Sequence, residues 1–117
     1  KNKKWSSLQA NKPALEYYSN DDPGDFGGYT AAENTIRLND SNFADPIETA
    51  DTISHEYRHC FQHERAANPS SDQDFAFREN QENYISPSRD FQAYQDQLIE
   101  RDAREYAQGI KDTITRA

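Results

Sequence analysis

The string His55-Glu56-Tyr57-Arg58-His59 places two imidazoles and a carboxylate inside a stretch that we expect to be helical. Side chains four residues apart leave a helix on nearly the same face, so both histidines can reach one divalent ion. Glu56 follows the first histidine and can accept a proton from a water on that ion. The spacing therefore predicts a metal site with a general base beside it, rather than a pair of surface histidines.

A third ligand is expected elsewhere in the chain, because a catalytic zinc site usually has three protein ligands and one open position. Glu100 is the first candidate. It lies on a second predicted helix, on the side where Ala93, Ala103 and Ala107 cluster. Small residues there would let the two helices approach closely. Asp96 lies near the same face and is the reserve candidate.

Two other residues of the metal helix are expected to have no role in binding. His63 lies roughly 12 Å along the helix from His55, so we expect a surface histidine near the helix end. Cys60 is the sole cysteine, which excludes an internal disulfide within this sequence. Its side chain points toward the apolar stripe, and we expect a buried, inert thiol.

The helix that carries the histidines has a clear predicted start. Asp45-Pro46-Ile47-Glu48 supplies an acidic N-cap, proline at the first helical position and glutamate at the third. We expect the helix to continue to about Asn68-Pro69. Its apolar face is predicted to lie nearly opposite the histidines and to contain Ile53, Tyr57, Cys60 and Phe61. With this arrangement, the helix is predicted to separate a hydrophobic core from a cleft that contains the histidines.

The remaining elements predict an α+β fold. Three segments have the composition of short strands and are expected to form a small antiparallel sheet: 15–18, 29–32 and 35–39. Residues 69–87 are polar and are expected to be a long ordered loop, with a helical turn as an open alternative, pinned to the core by Phe75 and Phe77. A second helix is predicted from Pro87-Ser88 to about Ile110. Its apolar face would consist of Phe91, Tyr94, Leu98, Ile99 and Tyr106.

Composition limits the classes of protein that this chain can be. A length of 117 residues suits one domain, with residues 1–12 as a polar lead-in, and 12% aromatic residues argue against disorder. A net charge of −8 argues against a nucleic-acid partner. No signal peptide or membrane span is recognisable in the sequence. Because the chain begins with Lys and has no Met, we expect a fragment of a longer polypeptide.

The His55-Glu56-x-x-His59 string, followed downstream by Glu100-Arg101-Asp102-Ala103, resembles the gluzincin branch of zinc metallopeptidases. The resemblance implies a zincin-like α+β fold with one Zn²⁺ per chain. It implies that His55, His59 and Glu100 bind the metal and that Glu56 is the general base.

Two residues depart from the gluzincin pattern. Arg58 occupies a position where many of these enzymes have an uncharged residue, and Arg104 one where some have an aspartate that supports a histidine. Asp51 or Asp102 is expected to take over that supporting role.

The sequence around the motif, Ile53–Gln62, is also similar to metallopeptidase domains at the C-termini of bacterial polymorphic toxins and secreted effectors. This second resemblance implies a protein or peptide substrate, an inhibitor or immunity protein as partner, and secretion or delivery as part of a larger protein.

Hydrolysis of an amide also needs a donor for the oxyanion, and the sequence leaves Tyr84, Arg78 and Tyr94 as candidates. In the alternative interpretation, Arg78 and its polar neighbours only satisfy backbone groups of the loop. The strand at 35–39 is expected to offer an edge to an extended substrate. Two other functions stay open: hydrolysis of another amide, such as a peptidoglycan peptide, and a non-catalytic module stabilised by zinc.

Overall fold

The protein is described by a computed structural model of residues 12–116, so the predicted lead-in, apart from Lys12, lies outside the described residues. The elements follow in the order β1 (Ala14–Tyr18), β2 (Gly27–Thr30), β3 (Thr35–Asn39), α1 (Pro46–Ala67), α2 (Asp72–Glu82), α3 (Phe91–Asp96) and α4 (Leu98–Arg116). Short 3-10 turns follow β2 and β3, at Ala31–Glu33 and Asp40–Asn42. The predicted α+β class is confirmed. No helix in this part of the chain has the length and apolarity needed to cross a membrane.

The sheet contains the three predicted strands, but it is mixed and not antiparallel. Its order is β1-β3-β2. β2 and β3 form an antiparallel hairpin, which Asn34 closes in the left-handed conformation with φ of 49°. β1 runs parallel to the other side of β3. Strand composition carries no information about direction, which is why the sequence did not reveal the parallel pair.

β3 is the central strand of this sheet. Ile36 and Leu38 are 1% and 0% exposed, and they belong to the buried core. The prediction that this strand offers an edge to a substrate is therefore wrong. The edges of the described sheet are β1 and β2.

α1 begins and ends close to the predicted positions. Asp45 is the N-cap and its Oδ1 accepts a hydrogen bond from the amide of Ile47 at 2.9 Å, while Pro46 occupies the first helical position. Asp45 and Pro46 thus fix the start of the helix that carries both histidines.

The predicted apolar face of α1 is wrong in part, because Cys60 is buried but the two aromatic residues are not. Tyr57 and Phe61 are 48% and 37% exposed, whereas Gln62 and Ala66 on the histidine side are buried. The cause is the packing of α1 along α4, where Ala103 and Ala107 are completely buried. Because these small residues let α1 and α4 approach closely, the side of α1 with Gln62 and Ala66 is buried. The side with Tyr57 and Phe61 is partly exposed.

Residues 72–82, predicted as part of a loop, form the helix α2. Ser71 caps it by accepting a hydrogen bond from the amide of Asp74 at 3.1 Å, and the acidic first turn also favours a helix start. Phe77 is fully buried with Ala66 and Ile99, as predicted. Phe75 is 55% exposed and does not pin the segment to the core.

The second predicted helix is split into α3 and α4 by Gln97, whose backbone is extended. The Gln97 side chain is held by the backbone of Ile85 at 2.8 and 3.2 Å and by Asn80 at 2.9 Å. Asn80 Oδ1 in turn accepts a hydrogen bond from the amide of Ile99 at 2.9 Å. The start of α4 is therefore fixed by the Asn80 side chain of α2 and by the Ile85 backbone. Phe91, predicted to face the core, is 59% exposed.

We expect the Arg65–Asp74 ion pair between α1 and α2 to make stability depend on pH. Hydrogen bonds from Arg65 and from the backbone of Ser70 lower the pKa of Asp74 from 3.8 to about 2. The ionised carboxylate therefore stabilises the fold above about pH 4, and this contribution is lost as the pH falls toward 2. Thermal unfolding should show Asp74→Asn melting below wild type at pH 7, with the difference shrinking at acid pH. Asp72→Asn, in the same turn but exposed, is the control, and a pH-independent difference for Asp74→Asn would contradict the prediction.

Candidate metal centre

The three predicted ligands lie together between α1 and α4. His55 and His59 come from α1, and Glu100 comes from the first turn of α4. The Nε2 atoms of both histidines are 3.4 Å from Glu100 Oε1. The three candidate ligand atoms all lie within 4.8 Å of one another. This cluster could hold a metal ion.

The donor set fits zinc in chemistry and spacing. Two imidazole nitrogens and one carboxylate oxygen are a known ligand combination of catalytic zinc sites. Ligand atoms about 2.1 Å from a tetrahedral ion are about 3.4 Å apart, which is the separation of each histidine nitrogen from Glu100 Oε1. Glu100 is also 4% exposed, so its carboxylate depends on these neighbours for stabilisation.

The electrostatics of the cluster keep Glu100 ionised. Burial alone would raise its pKa, but hydrogen bonds and attraction from His55 and His59 outweigh burial and lower the pKa to about 2. For His59 burial acts in the other direction and would lower the pKa. The Glu100 carboxylate outweighs burial, so the pKa of His59 is raised. The carboxylate thus attracts positive charge at the point where the two imidazoles meet.

Glu56 lines the cleft beside the cluster, as a general base would have to. Burial raises the pKa of its carboxyl, although His59 and His55 and a hydrogen bond from the backbone of Tyr29 act in the opposite direction. A raised pKa makes a carboxylate a better proton acceptor near neutral pH. The contact with Tyr29 ties Glu56 to β2.

The cluster lies in an open cleft of about 540 Å³. Residues of β2 line this cleft together with Tyr84 and Tyr94. The lining residues are Gly27, Gly28, Tyr29, His55, Glu56, His59, His63, Gln81, Tyr84, Tyr94, Ile99 and Glu100. The cleft therefore brings a strand, the candidate ligands and the candidate base together.

Comparisons with known proteins add no family to this geometry. No family model, no curated protein and no solved structure matches the chain.

Of the three oxyanion candidates, the cleft contains two. Tyr84 and Tyr94 stack edge to face with ring centroids 6.3 Å apart. Burial, followed by the nearby Glu100 carboxylate, raises the pKa of Tyr84 to about 12 and also raises that of Tyr94. Both phenols therefore keep their protons at neutral pH and can donate hydrogen bonds.

Arg78, the third oxyanion candidate, does not line the cleft. Its Nε donates to Ala66 O at 2.9 Å and its Nη2 to Ala67 O at 3.2 Å. Arg78 therefore satisfies the last carbonyls of α1, as in the alternative interpretation of this segment.

His63 and Gln81 are among the residues of the cleft that were not expected there. His63, predicted on the surface, is half-buried with its ring centroid 5.6 Å from that of Tyr29, and burial lowers its pKa. Its spacing from His59 continued the i, i+4 series, which was the available signal. Gln81 also lines the cleft, and its buried Nε2 has no hydrogen-bond partner among residues 12–116. Nothing in the sequence marked Gln81.

The other predicted acidic residues have different neighbours. Asp96, the reserve ligand, is exposed and accepts hydrogen bonds from Gln92 at 3.1 and 3.2 Å. Asp51 lies 3.9 Å from Lys111 Nζ. Asp102 accepts a hydrogen bond from Gln62, which in turn contacts His59, so Asp102 supports this histidine indirectly.

Gln62 contacts His59 directly, a role that was not predicted from the sequence. Its Oε1 is 2.9 Å from His59 Nδ1, and its Nε2 donates to Asp102 Oδ2 at 2.8 Å. Asp102 also accepts hydrogen bonds from Arg58 Nε and Nη2 at 2.7 and 3.2 Å. Arg58, the departure from the gluzincin pattern, is therefore part of a partly buried network beside the candidate ligands.

Aromatic rings pack against the same arginine. The Arg58 guanidinium carbon lies 4.3 Å from the ring centroid of Phe61 and 5.0 Å from that of Tyr106. Such cation–π contacts hold the guanidinium in position for Asp102.

Cys60 is buried, as predicted. Its Sγ lies 3.5 Å from Asn34 Oδ1, and burial raises the pKa of the thiol. A protonated, buried sulfur is a poor nucleophile and a poor metal ligand.

Proposed function

We propose that this protein is a zinc-dependent metallopeptidase of the gluzincin type, in which His55, His59 and Glu100 hold the metal and Glu56 is the general base. The observation that carries the proposal is the position of Glu100, which comes from a separate helix and lies 3.4 Å from both histidine nitrogens. A surface pair of histidines would have no buried carboxylate between them. The open cleft beside Glu56 gives a substrate access.

The proposed reaction divides between the metal and the protein. A zinc ion in this cluster would polarise the scissile carbonyl and lower the pKa of a coordinated water to about 7. Glu56 accepts a proton from the attacking water and passes it to the leaving amine. Its raised pKa suits both transfers.

Donors that line the same cleft complete the proposed site. Tyr84 and Tyr94 stay protonated because burial and Glu100 raise their pKa. Either hydroxyl can donate to the oxyanion that forms as the carbonyl is attacked. The partnerless Nε2 of Gln81 is a further donor for a substrate carbonyl.

The edge of β2 favours an extended peptide as the substrate. Within the described sheet β2 pairs with β3 alone, and its residues Gly27 to Tyr29 line the cleft. A peptide in extended form can pair with such an edge through its backbone. The space around Gly28 is open, since a Cβ there would meet nothing within 4 Å. At Gly27, φ is +146° and a Cβ would collide with the Arg37 carbonyl, so glycine is required.

The proposal is tested by metal-dependent cleavage of peptide libraries and denatured proteins. We expect cleavage by zinc-loaded protein, its loss on chelation and its return when zinc is restored. Chelation should also lower the melting temperature, because zinc at 100 times its Kd stabilises the folded state by about 2.7 kcal/mol. Zinc binding and a fall in melting temperature without cleavage of any peptide would contradict the peptidase proposal and favour a non-catalytic module.

Tyr84→Phe is expected to lower kcat by about 100- to 1,000-fold with a small change in KM, the usual cost of losing an oxyanion donor. Both tyrosines line the cleft, but Tyr84 is 42% exposed and Tyr94 is less exposed, so we expect a smaller loss for Tyr94→Phe. Arg78→Gln is the control: it should lower the melting temperature and leave kcat unchanged. Wild-type kcat in Tyr84→Phe would exclude this role.

A further inference from the structure

Gln62 is fully buried between α1 and α4, and the direction of its amide is determined by its partners. The Nε2 donates to Ile99 O at 2.9 Å and to Asp102 Oδ2 at 2.8 Å. Neither partner can donate in return, because a carbonyl carries no proton and Arg58 holds Asp102 as a carboxylate with two hydrogen bonds. The amide oxygen therefore faces His59 Nδ1, at 2.9 Å.

We propose that Gln62 is a positioning residue that keeps a proton on His59 Nδ1, and that Ile99 O and the Asp102 carboxylate together fix the direction of the Gln62 amide. An amide oxygen can only accept, so the nitrogen facing it has to be the donor. His59 Nε2, which lies in the cluster 3.4 Å from Glu100 Oε1, is then the nitrogen left to bind a metal. The inference rests on the proposed metal site and adds the residues that prepare one of its ligands.

The same contacts also join α1 to α4, so a test has to separate positioning from stability. Gln62→Met removes the acceptor that faces His59 Nδ1 at similar volume. The proton of His59 is then free to move to Nε2, the nitrogen needed for the metal. Ile99 O and Asp102 lose the Gln62 donor in the same variant, and the melting temperature reports that structural cost separately.

A double variant should restore the acceptor that faces His59 Nδ1. In Gln62→Glu combined with Asp102→Asn, the carboxylate at position 62 has no proton to donate, so His59 again faces an acceptor. The asparagine at position 102 can donate to its other oxygen, and the net charge of the protein is unchanged. Ile99 O loses its donor in this double variant. We therefore expect zinc affinity to recover although stability does not.

The experiment measures the zinc Kd by competition with a chromophoric chelator, and the melting temperature of the zinc-free protein. We expect Gln62→Met to bind zinc about 10- to 100-fold more weakly than wild type, the usual cost of losing a partner behind a ligating histidine. The double variant should regain much of that loss. Asp74→Asn is the control for the loss of an Arg–Asp pair, because it breaks a pair of similar geometry, at 2.8 and 3.1 Å, outside the cleft. Its zinc Kd should equal that of wild type.

Several outcomes would overturn the inference. Wild-type zinc affinity in folded Gln62→Met would exclude positioning by Gln62, and so would a double variant that recovers no affinity. If Gln62→Met does not fold, Gln62→Leu, which also removes the acceptor, serves in the same comparison. No zinc binding by wild type would overturn the metal site and this inference together. Zinc binding with the expected pattern but no peptide cleavage would overturn the proposed peptidase function alone.

Discussion

Glu56→Gln is expected to lower peptide hydrolysis by about 10²- to 10⁴-fold, the contribution that general acid–base catalysis commonly makes. The amide has nearly the volume of the carboxylate, and it can still accept the hydrogen bond from the Tyr29 backbone. It cannot take up a proton from the attacking water. Zinc affinity should stay close to that of wild type, because His55, His59 and Glu100 are unchanged. Steady-state kinetics and the zinc content of the same preparation provide the two measurements.

The matched control for this variant is Glu64→Gln, which makes the same chemical change two turns further along α1 and outside the cleft lining. It should keep wild-type activity. Full hydrolysis by Glu56→Gln would assign the general base to another residue. A loss of zinc in Glu56→Gln would instead make Glu56 a ligand. Equal stability and no detectable hydrolysis in any variant, wild type included, would favour a metal with a purely structural role.

The local features of this fold could be predicted from the sequence because their causes are local. The cap at Asp45 and the proline after it determine where α1 begins, and the spacing of the histidines determines that both leave the same face. Glu100 could be found because small residues on its helix indicated a close approach, and Ala103 and Ala107 are indeed buried against α1.

Features that depend on distant partners could not be predicted in this way. The apolar pattern of α1 predicted that its aromatic side is buried. Tyr57 and Phe61 are instead partly exposed, because α4 packs on the opposite side. α2 was hidden by its polar composition, since Phe77 alone among its large apolar residues is buried. Gln62 gave no signal, because a buried amide is recognisable only when its partners on another helix are known.

Glu100→Ala is expected to weaken zinc binding by more than about 100-fold, which exceeds the usual cost of losing a partner behind a ligand. The substitution removes the carboxylate that both histidine nitrogens approach at 3.4 Å and leaves a two-histidine site. Elemental analysis of protein purified without a polyhistidine tag should give about one zinc per wild-type chain, as for a catalytic site with three protein ligands. The same analysis should give a small fraction of that for the variant.

Asp96→Ala is the control that makes the result specific, because Asp96 is a carboxylate four residues earlier that lies in solvent and contacts Gln92. It should retain full zinc. Full zinc in Glu100→Ala would place the third ligand on another residue, and the ion-paired cluster of His55, His59 and Glu100 would then be a packing feature. Loss of zinc in both variants would point to a general effect on α3 and α4, which the melting temperatures of the zinc-free proteins would reveal. Loss in Glu100→Ala alone would make the carboxylate of α4 a metal ligand and justify the search for a peptide substrate.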